Sequence, residues 1–277
     1  MTAYARPRDL AEALALRAAN PAWMVLAGGT DLMVNANHRP APAGILDLWR
    51  LRELCAIDDH SERGVAIGAG ATWSEVERHP VIRERLAPLA LAAREIGALQ
   101  IQSRGTLGGN VGTSSPVGDS LPVLLALDAT LEVASVRGRR RVPYHDWCTG
   151  YRTTRLAPDE LIVSATLPLP GPSTRTVWRK VGTRRAQSIS KVMGAAAIEL
   201  DGDTVVSARV ALGAVADRPI RIAAIEDAVR GRRLGDAAGA ARAALRMAIA
   251  PIDDVRSTAA YRREVAENLV ARFFSMS

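Results

Sequence analysis

Apolar residues recur at helical and strand spacing from the start of the chain. Leu10, Leu14 and Ala18 share one face of a helix over residues 8–19. Short apolar runs after it predict strands over residues 23–27, 45–48 and 65–69. Glycines follow two of these strands directly, at Gly28 and Gly70. The order of helix, strand and glycine turn is typical of proteins that mix helices with sheets.

Helix signals dominate the segment that follows. Thr72 and Glu75 have the spacing of a capping box, and apolar positions at helical intervals continue beyond them to Leu99, with Pro88 as a break or kink. Helices are predicted over residues 72–79, 81–99 and 121–126. Residues 106–119, with the sequence TLGGNVGTSSPVGD, are rich in Gly, Ser and Thr and have the least helical pattern in the chain.

The second half of the chain reads mostly as strands and then as helices. Residues 131–144 predict a hairpin that carries the arginines of residues 137–141 at a solvated tip. A strand over residues 160–167 ends in the proline-containing run 168–172, which marks a boundary. Three antiparallel strands are predicted over residues 175–181, 192–200 and 205–215. Three helices are predicted over residues 222–230, 237–249 and 258–273.

Composition indicates a globular protein with a sizeable core. The 277 residues are 48% hydrophobic, 23% charged and 4% aromatic, which excludes collagen, coiled coils and disulfide scaffolds. No stretch approaches the eighteen or so apolar residues that span a bilayer, and no leader-like segment opens the chain. Cys55 and Cys148 are too few for a disulfide framework and too far apart for a CxxC metal pair. These features predict a cytoplasmic protein.

The positive net charge changes this picture little. The formal charge is +7, but the cations are almost all arginines spread along the chain, with lysine only at positions 180 and 191. No nucleic-acid-binding motif accompanies them. The four histidines lack metal-ligand spacing, so no metal site is predicted in this chain. Nucleic-acid binding is therefore disfavoured.

Two glycine turns are the candidate chemistry. Gly28-Gly29 follows a strand and Gly108-Gly109 follows Thr106, and convergent backbone amides at such turns bind phosphates. Without a Cβ, a glycine lets the backbone approach such a phosphate closely. Either turn alone is more often structural than functional, whereas the pair favours a site for a phosphorylated ligand. No Walker motif is present, and Gly68-Ala69-Gly70 meets Trp73 where a GxGxxG motif needs glycine.

Several longer blocks carry a family resemblance. They are LAGGTDL at 26–32, QIQSRGTLGGN at 100–110 with SPVGDSLP at 115–122, DELI at 159–162, KVGTRRA at 180–186, PIDDVRS at 251–257 and YR at 261–262. In this order they span essentially the whole chain. The chain resembles the FAD-binding medium subunit of the molybdenum hydroxylases, which include xanthine dehydrogenase and aerobic carbon monoxide dehydrogenase.

The resemblance implies an α+β fold of the vanillyl-alcohol-oxidase-like (PCMH-type) class. It implies two FAD-binding subdomains at residues 1–54 and 55–172, and a C-terminal subdomain of three antiparallel strands and helices at residues 173–277. FAD would lie between the first two subdomains, with its pyrophosphate on the turns at Gly28 and Gly108.

The resemblance also implies roles for individual residues. Asp119 matches an acid that binds an FAD hydroxyl, Lys180 matches a cation near the flavin, and Ile96 matches a residue beside the cofactor. Leu161 and Ile162 would approach the adenine or flavin edge. A cation near the flavin pyrimidine would stabilise the anionic reduced ring. The predicted cofactor-binding residues are Val25, Leu26, Ala27, Gly28, Gly29, Thr30, Asp31, Leu32, Ile96, Thr106, Leu107, Gly108, Gly109, Asn110, Ser114, Asp119, Leu161, Ile162 and Lys180.

The implied function is electron transfer through FAD, with no catalytic side chain in this chain. Molybdopterin and 2Fe-2S clusters would belong to a large and a small partner subunit, assembled as a dimer of heterotrimers that serves an electron acceptor. Gln102-Ser103 stands where the family is expected to show Arg-Asn, in a segment that contacts either the iron–sulfur partner or only the neighbouring strand. Two alternatives remain open from the residues: a stand-alone FAD-dependent oxidase or dehydrogenase, and a non-enzymatic nucleotide-binding or assembly module.

Overall fold

Three main sheets and three buried hydrophobic clusters organise the described part of the chain, and two of the clusters include residues of two sheets. The computed structural model describes residues 2–38, 40–60, 64–184 and 187–275. Within these ranges one sheet is parallel and two are antiparallel, and helices cover them, which confirms the α+β class. Arg185 and Ala186, the last two residues of the KVGTRRA block, lie outside the described ranges.

The first sheet is small and parallel. Its elements are β1 (Ala3–Ala5), α1 (Leu10–Ala19), β2 (Met24–Leu26) and β3 (Gly44–Asp47). Strand β3 lies between β1 and β2. A 3-10 helix, Leu32–His38, follows the Gly28 turn.

Helix α1 buries more of its surface than the predicted apolar face. Asp9 caps the helix by accepting a 2.8 Å hydrogen bond from the Glu12 amide. The helix buries Leu10 and Ala13, whereas Leu14 is only half-buried. Leu14 still packs against the same core, so the buried surface of α1 includes the predicted face and extends to Ala13, because α1 contacts both the first sheet and the neighbouring sheet.

The second unit combines an antiparallel sheet with a set of short helices. Its elements are β4 (Ile57–His60), β5 (Gly64–Gly68), α2 (Trp73–Arg78), α3 (Pro80–Arg85), α4 (Ala87–Glu95), α5 (Leu99–Gln102), α6 (Leu107–Thr113), α7 (Leu121–Ala126), β6 (Thr130–Ser135), β7 (Gly138–Pro143), β8 (Cys148–Gly150), β9 (Thr153–Thr154) and β10 (Leu161–Leu167). The strand order is β4-β5-β10-β6-β7, and β8 pairs separately with β9. The predicted capping box is present, with Thr72 and Glu75 each bonded to the other's backbone amide.

Two predictions in this unit are wrong. The glycine-rich segment 106–119 contains helix α6, because Thr106 caps it and Leu107 and Val111 bury their side chains in the core. The arginines of the hairpin are exposed, but they do not gather at its tip. Arg137 lies in the turn, while the others lie along β7, where ion pairs to Glu132 and Glu160 hold Arg139 and Arg140.

The third unit is an antiparallel sheet covered by the C-terminal helices. Its elements are β11 (Thr174–Val181), β12 (Val192–Asp201), β13 (Thr204–Gly213), β14 (Ile220–Arg221), α8 (Ala223–Val229), α9 (Leu234–Leu245) and α10 (Ala259–Ser275). The three predicted strands are present, and the short β14 adds a fourth to the edge. Helix α7 contacts β12 and β13, so this sheet joins the second unit through its other face. Across the described ranges, no helix has both the length and the apolar character required to cross a bilayer.

Candidate functional site

A cavity of about 500 Å³ lies where the first and second units meet. Most of the predicted cofactor-binding residues line it. They are Val25, Ala27, Gly28, Gly29, Thr30, Asp31, Leu32, Ile96, Thr106, Gly108, Gly109, Asn110, Leu161 and Ile162. Five others do not reach its surface: Leu26, Leu107, Ser114, Asp119 and Lys180.

The turn after β2 presents unpaired backbone amides. The N–H groups of Gly28, Gly29, Thr30 and Asp31 have no acceptor among the residues that the structure describes. Gly29 has a φ of +78°, in the left-handed region that glycine adopts without strain. Neighbouring unpaired amides in a turn of this kind form an anion-binding nest. We call residues 28–31 the amide nest.

The backbone amides at the start of α6 have partners within the chain, unlike those of the amide nest. The Leu107 amide donates to the Ala71 carbonyl, the Gly108 amide to the Ala69 carbonyl at 2.8 Å, and the Gly109 amide to Thr106 Oγ1 at 3.0 Å. These donors are already used within the chain. This segment contributes a wall of the cavity, and its predicted contact with a phosphate stays a prediction.

The glycines of the two segments serve two purposes. A Cβ on Gly28 would lie 1.7 Å from the Arg104 carbonyl oxygen, and one on Gly108 would lie 2.6 Å from the Ala69 Cβ. Packing between chain segments therefore already requires these two glycines, and their close approach to a phosphate stays a prediction. A Cβ on Gly109 would meet little beyond Thr106 Oγ1 at 3.1 Å, and one on Gly112 only Ile162 Cδ1 at 3.6 Å. Both line the cavity, where side chains would take space from a ligand.

Two carboxylates line the cavity, and both have partners. Asp31 Oδ2 lies 3.5 Å from Arg152 Nη1 and accepts a 3.4 Å hydrogen bond from Thr113 Oγ1. Glu160 is almost fully buried and accepts two hydrogen bonds from Arg140, at 2.7 and 2.6 Å. Hydrogen bonding from Arg140 holds the pKa of Glu160 below its ordinary value, against the effect of burial. Neither carboxylate is therefore poised as a general base.

Asp119 and Lys180 lie behind the wall formed by Val117 and Gly118. Lys180 Nζ donates to Asp119 Oδ2 at 2.6 Å and to the Glu95 carbonyl at 3.1 Å. Ser190 Oγ donates to Asp119 Oδ1 at 2.5 Å. Burial raises the pKa of Asp119, although Lys180 and Ser190 oppose the shift. Both carboxylate oxygens have partners, so the roles of Asp119 and Lys180 toward a cofactor remain predictions.

Several residues that line the cavity were not among those predicted from the sequence. Arg17 of α1, Trp23 before β2 and Trp73 of α2 contribute to its surface. Arg17 lies four residues after the buried Ala13, on the side of α1 that faces the protein. An arginine among helix positions that face the protein is the signal that the sequence offers for this residue. It can be recognised only when the buried side of α1 is known.

Matches to known protein families show what kind of ligand this cavity belongs to. Residues 1–170 match the FAD binding domain in molybdopterin dehydrogenase, and residues 178–277 match the CO dehydrogenase flavoprotein C-terminal domain. The chain belongs to this flavoprotein family. It is accordingly an FAD-binding component of an oxidoreductase, and the resemblance seen in the sequence is confirmed.

Similar proteins match this flavoprotein along nearly its whole length. The glyceraldehyde dehydrogenase medium chain of Sulfolobus acidocaldarius is 33% identical, over 98% of this chain and 96% of its own. The carbon monoxide dehydrogenase medium chain of Hydrogenophaga pseudoflava is 31% identical, over 97% of this chain and 94% of its own. The chain also superposes on a solved structure of carbon monoxide dehydrogenase from Hydrogenophaga pseudoflava that lacks the Mo-pyranopterin moiety of the molybdenum cofactor. The TM-score is 0.93 at 29% identity, over 98% of this chain and 95% of the other. The match confirms the predicted FAD-binding fold.

The cavity fits the FAD of this flavoprotein family. The amide nest provides donors for a pyrophosphate, and the bare backbone at Gly109 and Gly112 leaves room beside it. Apolar residues such as Val25, Leu161 and Ile162 form much of the remaining surface. Apolar walls with a few placed polar groups are typical of cofactor sites.

Proposed function

We propose that this chain is the FAD-binding electron-transfer subunit of a cytoplasmic, heteromeric molybdenum hydroxylase. It passes electrons from iron–sulfur clusters of a small partner subunit to an external acceptor. Molybdopterin belongs to a large partner subunit, and the complex is a dimer of heterotrimers. Residues 1–54, 55–172 and 173–277 act as its three subdomains. The observation that carries the proposal is the unpaired amide nest at residues 28–31 in a chain matched along its length by medium chains of dehydrogenases.

The residues of the chain divide the binding task. The amide nest holds the pyrophosphate without a lysine, because its neighbouring N–H groups have no partner among the described residues. Gly109 and Gly112 leave space for the cofactor, and Ile96 lies beside the ring. Lys180, with its charge balanced by Asp119, sets the field near the flavin. The bound FAD supplies the redox chemistry.

The number of cysteines in the chain bears on where the iron–sulfur clusters are bound. Iron–sulfur clusters are typically held by four cysteine thiolates, and this sequence has two cysteines in total. Cys55 lies at the end of a 3-10 helix and Cys148 lies in β8. The clusters that reduce the flavin therefore reside on another chain.

A stand-alone FAD oxidase or dehydrogenase is the competing function. Such an enzyme needs a base beside the flavin that takes a proton from its own substrate. The carboxylates in the cavity lining, Asp31 and Glu160, are both held in ion pairs. This arrangement favours the subunit over the stand-alone enzyme.

Anaerobic reduction of the flavin separates the alternatives. The purified chain, loaded with FAD, is mixed with glyceraldehyde, xanthine or carbon monoxide, and the flavin absorbance near 450 nm is followed; dithionite is the positive control. We expect reduction by dithionite alone. Bleaching by an organic substrate in the isolated chain would contradict the subunit function. A colourless chain that takes up no FAD would instead support a non-enzymatic module.

A further inference from the structure

Arg17 is a cation of the cavity lining that has unused hydrogen-bond donors. Its Nη1 donates to the Trp23 carbonyl at 2.8 Å. Its Nε is buried and has no partner, and no acceptor for Nη2 occurs among the described residues. Burial lowers the pKa of Arg17 from its ordinary value. A guanidinium N–H that water cannot reach and that has no acceptor is unfavourable, so an acceptor from a ligand beside Arg17 would stabilise this side chain.

The nearby carboxylates do not supply that acceptor. Glu160 lines the same cavity but is bonded to Arg140 and to the Ala157 amide. Asp159, the acid that acts on Arg17 at longer range, is bonded to Arg137. Arg17 lines the cavity, and among the described residues its Nη2 has no acceptor, so this donor is available to whatever occupies the cavity.

The position of Arg17 indicates which part of a dinucleotide it meets. Its guanidinium is fixed to the carbonyl of Trp23, and the three residues of β2 separate Trp23 from the segment that begins at Ala27. At the rise of a strand this separation is roughly 10 Å. Arg17 therefore contacts an end of the ligand, while the amide nest at residues 28–31 holds its middle.

We propose that Arg17 binds the adenosine end of FAD and makes the site selective for FAD over riboflavin. This assignment rests on the proposed function, which places the flavin beside Ile96. Adenine offers ring nitrogens that accept hydrogen bonds, and guanidinium groups both donate to such acceptors and stack on aromatic rings. Trp23 and Leu161, which line the cavity with Arg17, provide apolar contact for a flat ring.

Binding measurements on an Arg17→Gln variant test the assignment. Dissociation constants for FAD, ADP and riboflavin are measured by fluorescence or calorimetry on the full apo chain. We expect the values for FAD and ADP to rise about tenfold, as for the loss of a charged hydrogen bond, and the value for riboflavin to stay within about twofold. Arg8→Gln, in an exposed residue just before α1, is the matched control and leaves all three values unchanged.

The outcomes are distinguishable. An Arg17→Gln chain with unchanged FAD and ADP affinity would overturn the assignment, and so would an equal loss of riboflavin affinity, which indicates a flavin contact or a damaged fold. Thermal unfolding of the apo chain separates these last two causes. A wild-type chain that binds neither FAD nor ADP would overturn the proposed function itself, and the assignment with it.

Discussion

Asp119 and Lys180 form a buried ion pair, with Oδ2 and Nζ 2.6 Å apart, between the second unit and strand β11 of the third. Both side chains are almost fully buried, and Ser190 and the Glu95 carbonyl complete their hydrogen bonds. Trp178 adds an indole hydrogen bond to the Asp119 carbonyl. The pair therefore joins two units of the fold directly behind the cavity wall.

Removal of one partner of this pair should destabilise the fold strongly. Asp119→Ala leaves the Lys180 ammonium buried without its counter-ion, and we expect a loss of about 3–5 kcal/mol in the free energy of unfolding. The double variant Asp119→Ala/Lys180→Met should recover part of that loss. Denaturant titration of the apo chain measures both. Asp217→Ala, in an exposed pair with Arg218, is the control with an expected effect below about 1 kcal/mol.

The same variant also tests the cofactor role of Asp119. If its carboxylate binds an FAD hydroxyl, the Asp119→Ala chain should bind FAD more weakly even where it remains folded. Equal FAD affinity in wild-type and variant chains would restrict Asp119 to a structural role. A small effect of Asp119→Ala on unfolding, similar to that of the exposed control, would contradict the ion-pair account.

Gly28→Ala should impair folding more than it impairs any ligand contact. The new Cβ would overlap the Arg104 carbonyl oxygen, a backbone atom that moves only if the turn moves. We expect a loss of about 3 kcal/mol in the free energy of unfolding of the apo chain. Gly239→Ala is the control, since its Cβ meets no atom within 4 Å on α9, and it should be neutral or stabilising. An unchanged stability for Gly28→Ala would contradict the packing assigned to this glycine.

Gly109→Val should act on the ligand more than on the fold. Its side chain would enter the cavity, because the nearest protein atom is Thr106 Oγ1 at 3.1 Å. We expect FAD affinity to fall roughly 10- to 100-fold, measured as flavin content and dissociation constant. Gly239→Val controls for the cost of valine in a helix. Full FAD content in the Gly109→Val chain would show that the cofactor does not approach this wall.

The order of elements and the main cavity residues could be predicted from the sequence. The strand before Gly28 and the strand over 161–167 carry short apolar runs with clear ends, and the glycine motifs mark the segments that meet between them. Each of these patterns can be recognised from neighbouring residues within one segment of the chain. They located the cavity lining at the amide nest, at Gly109 and at Leu161.

Features that depend on distant segments could not be predicted. Helix α6 has a glycine-rich sequence with poor intrinsic propensity, and it forms because Thr106 caps it and the core buries Leu107 and Val111. Its first amides are bonded to Ala69 and Ala71, which lie far away in the sequence. Arg17 was missed for the same reason, since the buried face of α1 is set by a sheet formed more than one hundred residues later.

Acid should weaken the fold through Glu160. Hydrogen bonding from Arg140 lowers the pKa of Glu160 in the folded chain, while the unfolded chain has the ordinary value of 4.5. The stabilisation is therefore complete above about pH 4.5 and is lost as the pH falls through the folded pKa. Glu160→Gln should reduce the slope of unfolding free energy against pH below 4.5 in apo-chain titrations. An unchanged slope would contradict the assigned pair.

The most direct measurement of the central claim is the cofactor content of the assembly in which the chain is found. The chain carries an affinity tag in its native host, and the purified material is analysed for FAD, molybdenum, iron and copurifying chains. We expect a larger molybdenum-containing chain, a smaller iron–sulfur chain and one FAD that stays with this chain when the complex is dissociated. A tagged chain that purifies alone, with FAD but without molybdenum or iron, would contradict it.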